Sequence, residues 1–140
     1  MTRARRSWAV MALGLALAAS CGKTSSEQNI AGTWSATETY GADILYSTWI
    51  VTQSGEQLGV SASRPGGSAA TGSGSISGGR VTLVHGCFSA GCGSCSYTFT
   101  GTAESENKMS GQVVYCPEDP ALVRRGEWTA AKLAASRSGF

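Results

Sequence analysis

Five cysteines and a single histidine are the residues of this chain best suited to chemistry. His85, Cys87, Cys92 and Cys95 are spaced H-x-C-x4-C-x2-C, with Cys116 following further along. Such a set can wrap zinc tetrahedrally, because thiolate and imidazole are its preferred ligands. Cys92-Gly93-Ser94-Cys95 also forms a CxxC, the spacing of thiol oxidoreductases. Those enzymes activate the attacking thiol at a helix N-terminus, whereas here a strand pattern follows with no βαβ context. The third chemistry open to the same sulfurs is oxidation to structural disulfides. The choice depends on the compartment, and the remaining cysteine, Cys21, bears on that.

Residues 1–20 open with Arg3, Arg5 and Arg6, continue through an apolar run from Trp8 to Ala19, and end on small residues. This order describes an export signal. The run is about a dozen residues, against the roughly 20 that a membrane-spanning helix needs. At its end Leu17-Ala18-Ala19-Ser20-Cys21 resembles the lipobox of bacterial lipoproteins. That resemblance implies diacylglycerol on the Cys21 thiol, cleavage before Cys21, a fatty acyl chain such as palmitate on the new amine, and a membrane as partner. It also implies a cell-envelope location. Gly22 stands where an aspartate would retain a Gram-negative lipoprotein at the inner membrane, which favours the outer membrane in such a host. The plainer alternative is an ordinary secretory signal cut near Ala19, with Cys21 a spare thiol.

Cysteine parity supports lipidation, since five thiols cannot pair completely in an oxidising compartment. With Cys21 consumed, Cys87, Cys92, Cys95 and Cys116 form an even set, and exported cysteines are usually oxidised. Disulfides are therefore expected over zinc or redox chemistry, with no metal and no cofactor.

Three of the 11 basic residues lie in the signal and none of the nine acidic ones do, so the exported chain carries eight against nine, a net charge of −1. That leaves no basic stripe for a phosphate backbone, and nucleic-acid binding is not expected. The 120 residues from Cys21 suit one domain. Residues 21–29 read as the lipidated cysteine and a flexible tether, 30–133 as the folded domain, and 134–140 as a loose tail.

The domain reads as all-β. Short runs of Thr, Ser, Val, Tyr, Phe and Trp alternate between Gly-containing turns, and no amphipathic helix is evident. Eight strands are predicted: 33–40, 45–53, 57–63, 72–77, 80–86, 95–103, 109–116 and 126–132. Ser54-Gly55-Glu56 and Gly78-Gly79 suit tight antiparallel connections. The expected architecture is an antiparallel up-and-down meander closed into an eight-stranded barrel, because closure removes the unpaired edges. Alternation predicts an inner face of Trp34, Trp49, Val51, Leu58, Val60, Ile76, Val81, Leu83, Tyr97, Phe99, Val113 and Tyr115. Arg64 to Ser75 (RPGGSAATGSGS) is glycine-rich but lacks a phosphate-loop ending, and reads as a flexible loop.

Gly32-Thr33-Trp34 at the head of this meander resembles the Gly-x-Trp opening of lipocalins and the similar start of avidins. In lipocalins an arginine near the last strand packs over that tryptophan, which implies the role for Arg124 or Arg125. The resemblance covers these residues and the topology.

Register arguments choose the disulfides. Keeping apolar residues on one face sets His85 opposite Tyr97, Leu83 opposite Phe99, Phe99 opposite Val113 and Tyr97 opposite Tyr115. Extended by two residues, that register sets Cys87 opposite Cys95 and turns Cys116 to the other face. Cys87 with Cys95 and Cys92 with Cys116 are therefore expected, over Cys87 with Cys92 and Cys95 with Cys116.

Familiar hydrolase arrangements lack a motif: His85 has neither a Gly-x-Ser-x-Gly elbow nor a His-Glu-x-x-His helix beside it. Glu104 with Glu106, and Glu118 with Asp119, read as solvated turn charges. The function expected is non-catalytic: a tethered binding module for a small apolar ligand or an envelope protein, with Trp34, Trp49, Tyr97 and Trp128 as ligand-lining candidates. The alternative is a structural or interaction lipoprotein with a filled barrel and no ligand.

Overall fold

The computed structural model describes residues 28–88 and 92–134. Cys21, the signal and most of the tether and tail lie outside those residues. Eight strands follow in order: β1 (Gly32–Tyr40), β2 (Asp43–Ser54), β3 (Gln57–Ser63), β4 (Ala70–Ser77), β5 (Arg80–Gly86), β6 (Ser96–Ser105), β7 (Lys108–Tyr115) and β8 (Arg124–Lys132). Each pairs antiparallel with its neighbours in sequence, and β1 pairs with β8 to close the barrel. Half of the segment read as a flexible loop, from Ala70 onward, belongs to β4.

Period-two alternation builds this shell, since successive strand side chains point to opposite faces. On β1, Trp34, Ala36, Glu38 and Tyr40 face in and are buried, while Thr33, Ser35 and Thr39 are exposed. Every residue of the predicted inner face is buried except Tyr115, which is half-buried. The predicted register holds too: His85 pairs with Tyr97, Leu83 with Phe99, Phe99 with Val113, and Tyr97 with Tyr115.

Glycine serves two distinct purposes here. Gly78 and Gly79 both adopt positive φ, 57° and 78°, as the two-residue turn between β4 and β5 requires. Gly101 and Gly111 face each other across β6 and β7, where a Cβ on either would fall 2.0 Å from the opposing backbone. Their bare backbones let the sheet bend sharply enough to close.

The barrel has unlike ends. At the entry end Gln53 holds the incoming chain, accepting from the Ile30 N–H at 2.8 Å and donating to the Gln28 carbonyl at 3.0 Å. Gln28, held by Gln53, and Asn29, whose carbonyl accepts from Lys132 Nζ at 3.4 Å, lie at the end of the expected tether yet bond to the barrel. Ile30 is buried and accepts a 2.8 Å hydrogen bond from Trp34 Nε1. The far end carries the longer connections 64–69, 87–95 and 116–123 and both disulfides.

The cation expected over Trp34 is corrected. Arg124 begins β8 at the far end and stacks on Tyr40, 5.0 Å from its ring centroid. Lys132, directly paired with Trp34, covers the indole at 5.3 Å. Direction decides this: β8 runs antiparallel to β1, so its last residue, not its first, returns to the start of β1.

Candidate functional site

The far end is tied by Cys87–Cys92 and Cys95–Cys116, with Cα atoms 6.0 and 4.4 Å apart. This overturns the expected pairing of Cys87 with Cys95 and Cys92 with Cys116. The register behind that expectation holds only as far as Gly86 and Ser96, where β5 and β6 stop pairing. Cys87 therefore never lies opposite Cys95. Cys116 departs from strand geometry altogether, with a φ of 51° while its N–H still bonds the Ser96 carbonyl. A left-handed residue breaks the alternation that placed its side chain on the opposite face from Cys95. All four sulfurs are committed to disulfides, and among the described residues no group of three His, Cys, Asp or Glu side chains could hold a metal ion.

The four ligand-lining candidates all face inward but do not share one site. Trp34 sits near the entry end, bonded to Ile30. Trp49 and Trp128 lie in the middle with ring centroids 5.5 Å apart, both edge-on to Phe99. Trp128 Nε1 donates to the Thr100 carbonyl, so its polar atom is already used. Tyr97 lies further toward the far end, 5.1 Å from the His85 ring and 4.8 Å from Tyr115. The aromatic rings fill the centre of the barrel. A groove of about 80 Å³ on the outside of β1 and β8 is well below the roughly 300 Å³ of an ordinary ligand pocket.

Above those rings the interior turns polar. Glu38 has no exposed surface, and its carboxylate accepts from the Arg64 Nη2 group at 3.1 Å and from the Tyr40 hydroxyl at 2.6 Å. Arg64 Nη1 donates to the Tyr97 hydroxyl at 3.3 Å. The guanidinium also lies over two rings, 4.3 Å from the Phe88 centroid and 5.1 Å from that of Tyr97. Its side chain is 20% exposed, so it closes this end as well as pairing the buried charge.

Four polar atoms at this end, one of them in the pair itself, are buried with no partner among the described residues: Ser47 Oγ, Trp49 Nε1, Arg64 Nε and His85 Nε2. Buried polar atoms are rarely left so, and a group of them calls for an explanation. The residues form one neighbourhood. Ser47 and Trp49 share the inner face of β2, Trp49 and His85 lie 6.4 Å apart, and His85 touches Phe88 and Tyr97 beneath Arg64.

Burial sets the protonation of this neighbourhood. His85 is 1% exposed, and desolvation holds its pKa below the ordinary 6.5. Its Nδ1 lies 2.7 Å from the Gly86 carbonyl, which as an acceptor requires the proton there and leaves Nε2 a bare acceptor. Tyr97 is raised by burial, opposed by Arg64, and Tyr40 is raised by burial and by the Glu38 carboxylate it bonds. Both phenols stay protonated at neutral pH.

The His85 shift makes stability depend on pH. Below about 6.5 the unfolded imidazole takes up a proton that the folded one refuses, so stability is intact above that value and falls as pH drops through it. The slope is at most about 1.4 kcal/mol per pH unit. Urea midpoints should fall between pH 7 and pH 5, and His85→Phe should flatten the decline. An equal decline in the variant would remove His85 as its cause.

No protein-family model matches the sequence, and no curated protein matches it. The likeness lies in the fold. The structure of EF1p2_mFAP2b bound to DFHBI superposes with a TM-score of 0.55 at 14% identity, covering 74% of this chain and 94% of the other. The redesigned β-barrel mFAP1 bound to DFHBI gives 0.52 at 14% identity over 74% and 94%. The redesigned β-barrel b11L5F_LGL gives 0.54 at 14% identity over 75% and 92%. This chain is similar to them as a small closed β-barrel.

Sequence reasoning missed Glu38, Tyr40, Ser47, Arg64 and Phe88 as members of the cluster. The signal for the first two was available: counting by twos from Trp34 puts Glu38 and Tyr40 on the inner face. Arg64 and Phe88 lie in connections, where alternation gives no direction.

Proposed function

We propose that this chain is a bacterial envelope lipoprotein, anchored by lipid on Cys21, whose small lipocalin-like barrel binds a small ligand at the end away from the anchor without catalysing a reaction. The observation that carries the binding reading is the buried Glu38–Arg64 pair, whose own Arg64 Nε is unpartnered among the described residues, together with the unpartnered polar atoms of Ser47, Trp49 and His85. Specific ligand sites combine an apolar wall with a few placed polar groups, and the rings of Trp49, Phe88, Tyr97 and Phe99 supply the wall. The mFAP barrels carry DFHBI, but at 14% identity they speak for the fold, and the binding reading rests on the cluster.

Two observations support the anchor: the lipobox-like run ending at Cys21, and the pairing of the other four cysteines, which leaves Cys21 as the odd one. Gly22 favours the outer membrane in a Gram-negative host. In cells fed a labelled fatty acid, the wild-type protein should take up label and Cys21→Ser should lose it. Unchanged labelling of the variant would overturn the anchor.

One observation favours the second reading, an interaction lipoprotein with a filled barrel. Ile44, Tyr46 and Ile50 form an exposed apolar stripe along the outer face of β2. Crosslinking in intact envelopes separates the readings: a protein partner trapped at Tyr46 supports the stripe, and its absence leaves the interior as the functional surface.

A further inference from the structure

We propose that the far end of the barrel takes an uncharged, flat molecule of the aromatic amide or lactam class, its ring replacing Phe88 beneath Arg64 and its polar group bonding Trp49, Ser47 and His85. The inference rests on the binding-module reading and names the ligand class for the same site.

The charge of the ligand follows from the charges already present. The two ionic groups facing the site are Glu38 and Arg64, and they pair at 3.1 Å. His85 is neutral because burial disfavours its cation. An anion would compete with Glu38 for Arg64, and a cation would enter a site whose carboxylate is already paired. Either would carry an uncompensated charge into a buried place, which is costly. An uncharged ligand does neither.

The polar complement follows from the unpartnered atoms. Trp49 Nε1 and Arg64 Nε can only donate, His85 Nε2 in its neutral form can only accept, and Ser47 Oγ can do both. A group with a carbonyl oxygen beside an N–H matches the three atoms of Trp49, Ser47 and His85. The oxygen accepts from the indole and the hydroxyl, while the N–H donates to the imidazole. A pure acceptor or a hydrocarbon would leave His85 Nε2 unsatisfied.

The ring follows from Phe88, whose side chain is mostly buried but belongs to a connection rather than to a strand. It lies under the guanidinium at 4.3 Å, 5.2 Å from the His85 ring and 5.8 Å from the Tyr97 ring. Those three side chains make a slot shaped for a flat ring with a cation above it. In this structure the chain's own phenyl group fills the slot, so a ligand ring must compete with it.

Benzamide, benzoate and benzamidine have nearly the same shape and differ in charge, which makes them the probes of choice. Each is titrated into Phe88→Ala while the Trp49 indole N–H and His85 ring signals are followed by NMR. Benzamide should bind at least tenfold more tightly than the other two and shift both signals. Adding His85→Phe should weaken it at least tenfold, and the wild type should bind it more weakly than Phe88→Ala because Phe88 competes. If Phe88→Ala does not fold, the wild type should give the same ranking at higher probe concentration. Benzoate or benzamidine binding as tightly as benzamide overturns the uncharged class, and benzamide binding that ignores His85 overturns the site. Failure of all three probes overturns the aromatic amide class. A charged molecule retained by protein taken from its own host would do the same while leaving the binding-module reading in place.

Discussion

Arg64→Met is expected to lower the unfolding free energy by about 3 to 5 kcal/mol, the largest effect of any single substitution proposed for this barrel. Methionine keeps a long apolar stem over Phe88 and Tyr97, so the loss falls on what the guanidinium itself does: the pair with Glu38, the bond to the Tyr97 hydroxyl and the stacking on both rings. Glu38 has no exposed surface, and without Arg64 its carboxylate keeps, among the described residues, only the Tyr40 hydroxyl as a partner. An uncompensated buried charge costs more than the pair contributes when intact, because the desolvation has already been incurred. The double variant Glu38→Gln with Arg64→Met should therefore recover most of the lost stability, since the amide oxygen can still accept from Tyr40. Urea unfolding followed by tryptophan fluorescence measures both. A double variant no more stable than Arg64→Met alone would show that stem packing, rather than the buried charge, holds the far end.

The second large effect concerns the disulfides, and the two should not weigh equally. Cross-linking restricts the unfolded chain more as the closed loop lengthens. Cys95–Cys116 spans 21 residues and Cys87–Cys92 spans five. On the chain-entropy relation, replacing both partners by serine should cost about 3 kcal/mol for the first and about 2 kcal/mol for the second. Cys95 and Cys116 are also buried, so their serines would sit badly in apolar surroundings and widen the gap. Cys95→Ser alone should expose one free thiol, at Cys116, on peptide mapping without reduction. A free thiol at Cys87 instead would restore the pairing that strand register suggested.

The contrast between these two sites shows what was legible in the sequence. Alternation located all eight strands and the larger branched core residues on them, because one face of each strand is buried and a slip of one residue would expose it. It left out Ile30, Met109 and the buried alanines Ala36, Ala62, Ala70, Ala103 and Ala130. The same rule carried the register through Tyr97 and Tyr115 and failed one residue later, at Cys116, where a left-handed backbone ends the alternation. Arg64 is the other kind of miss. Its partner Glu38 lies 26 residues earlier on β1, and no local pattern links a charge inside a strand to a charge in a distant connection. Only closure of the barrel, which brings the end of β3 over the end of β1, puts them together. A glutamate at an inward strand position was nonetheless a signal, since carboxylates are almost never fully buried without a partner.

Lys132 teaches a related lesson. The lipocalin resemblance points to Arg124 or Arg125 as the cation over Trp34, but strand direction places the start of β8 at the far end. The same reversal puts Arg124 beside Tyr40, where it also pairs with Asp43 at 2.6 Å. Both partners of that pair are well exposed, so it contributes little, while the buried pair at Glu38 dominates this end.

Native mass spectrometry of the protein released gently from the membranes of its own host tests together the proposed lipid anchor and the proposed small molecule at the far end. The predicted result is a chain beginning at Cys21 that bears covalent lipid and holds one non-covalent small molecule, which is lost in His85→Phe. A chain that begins elsewhere without lipid, or a lipidated barrel that carries nothing in either form, would contradict it.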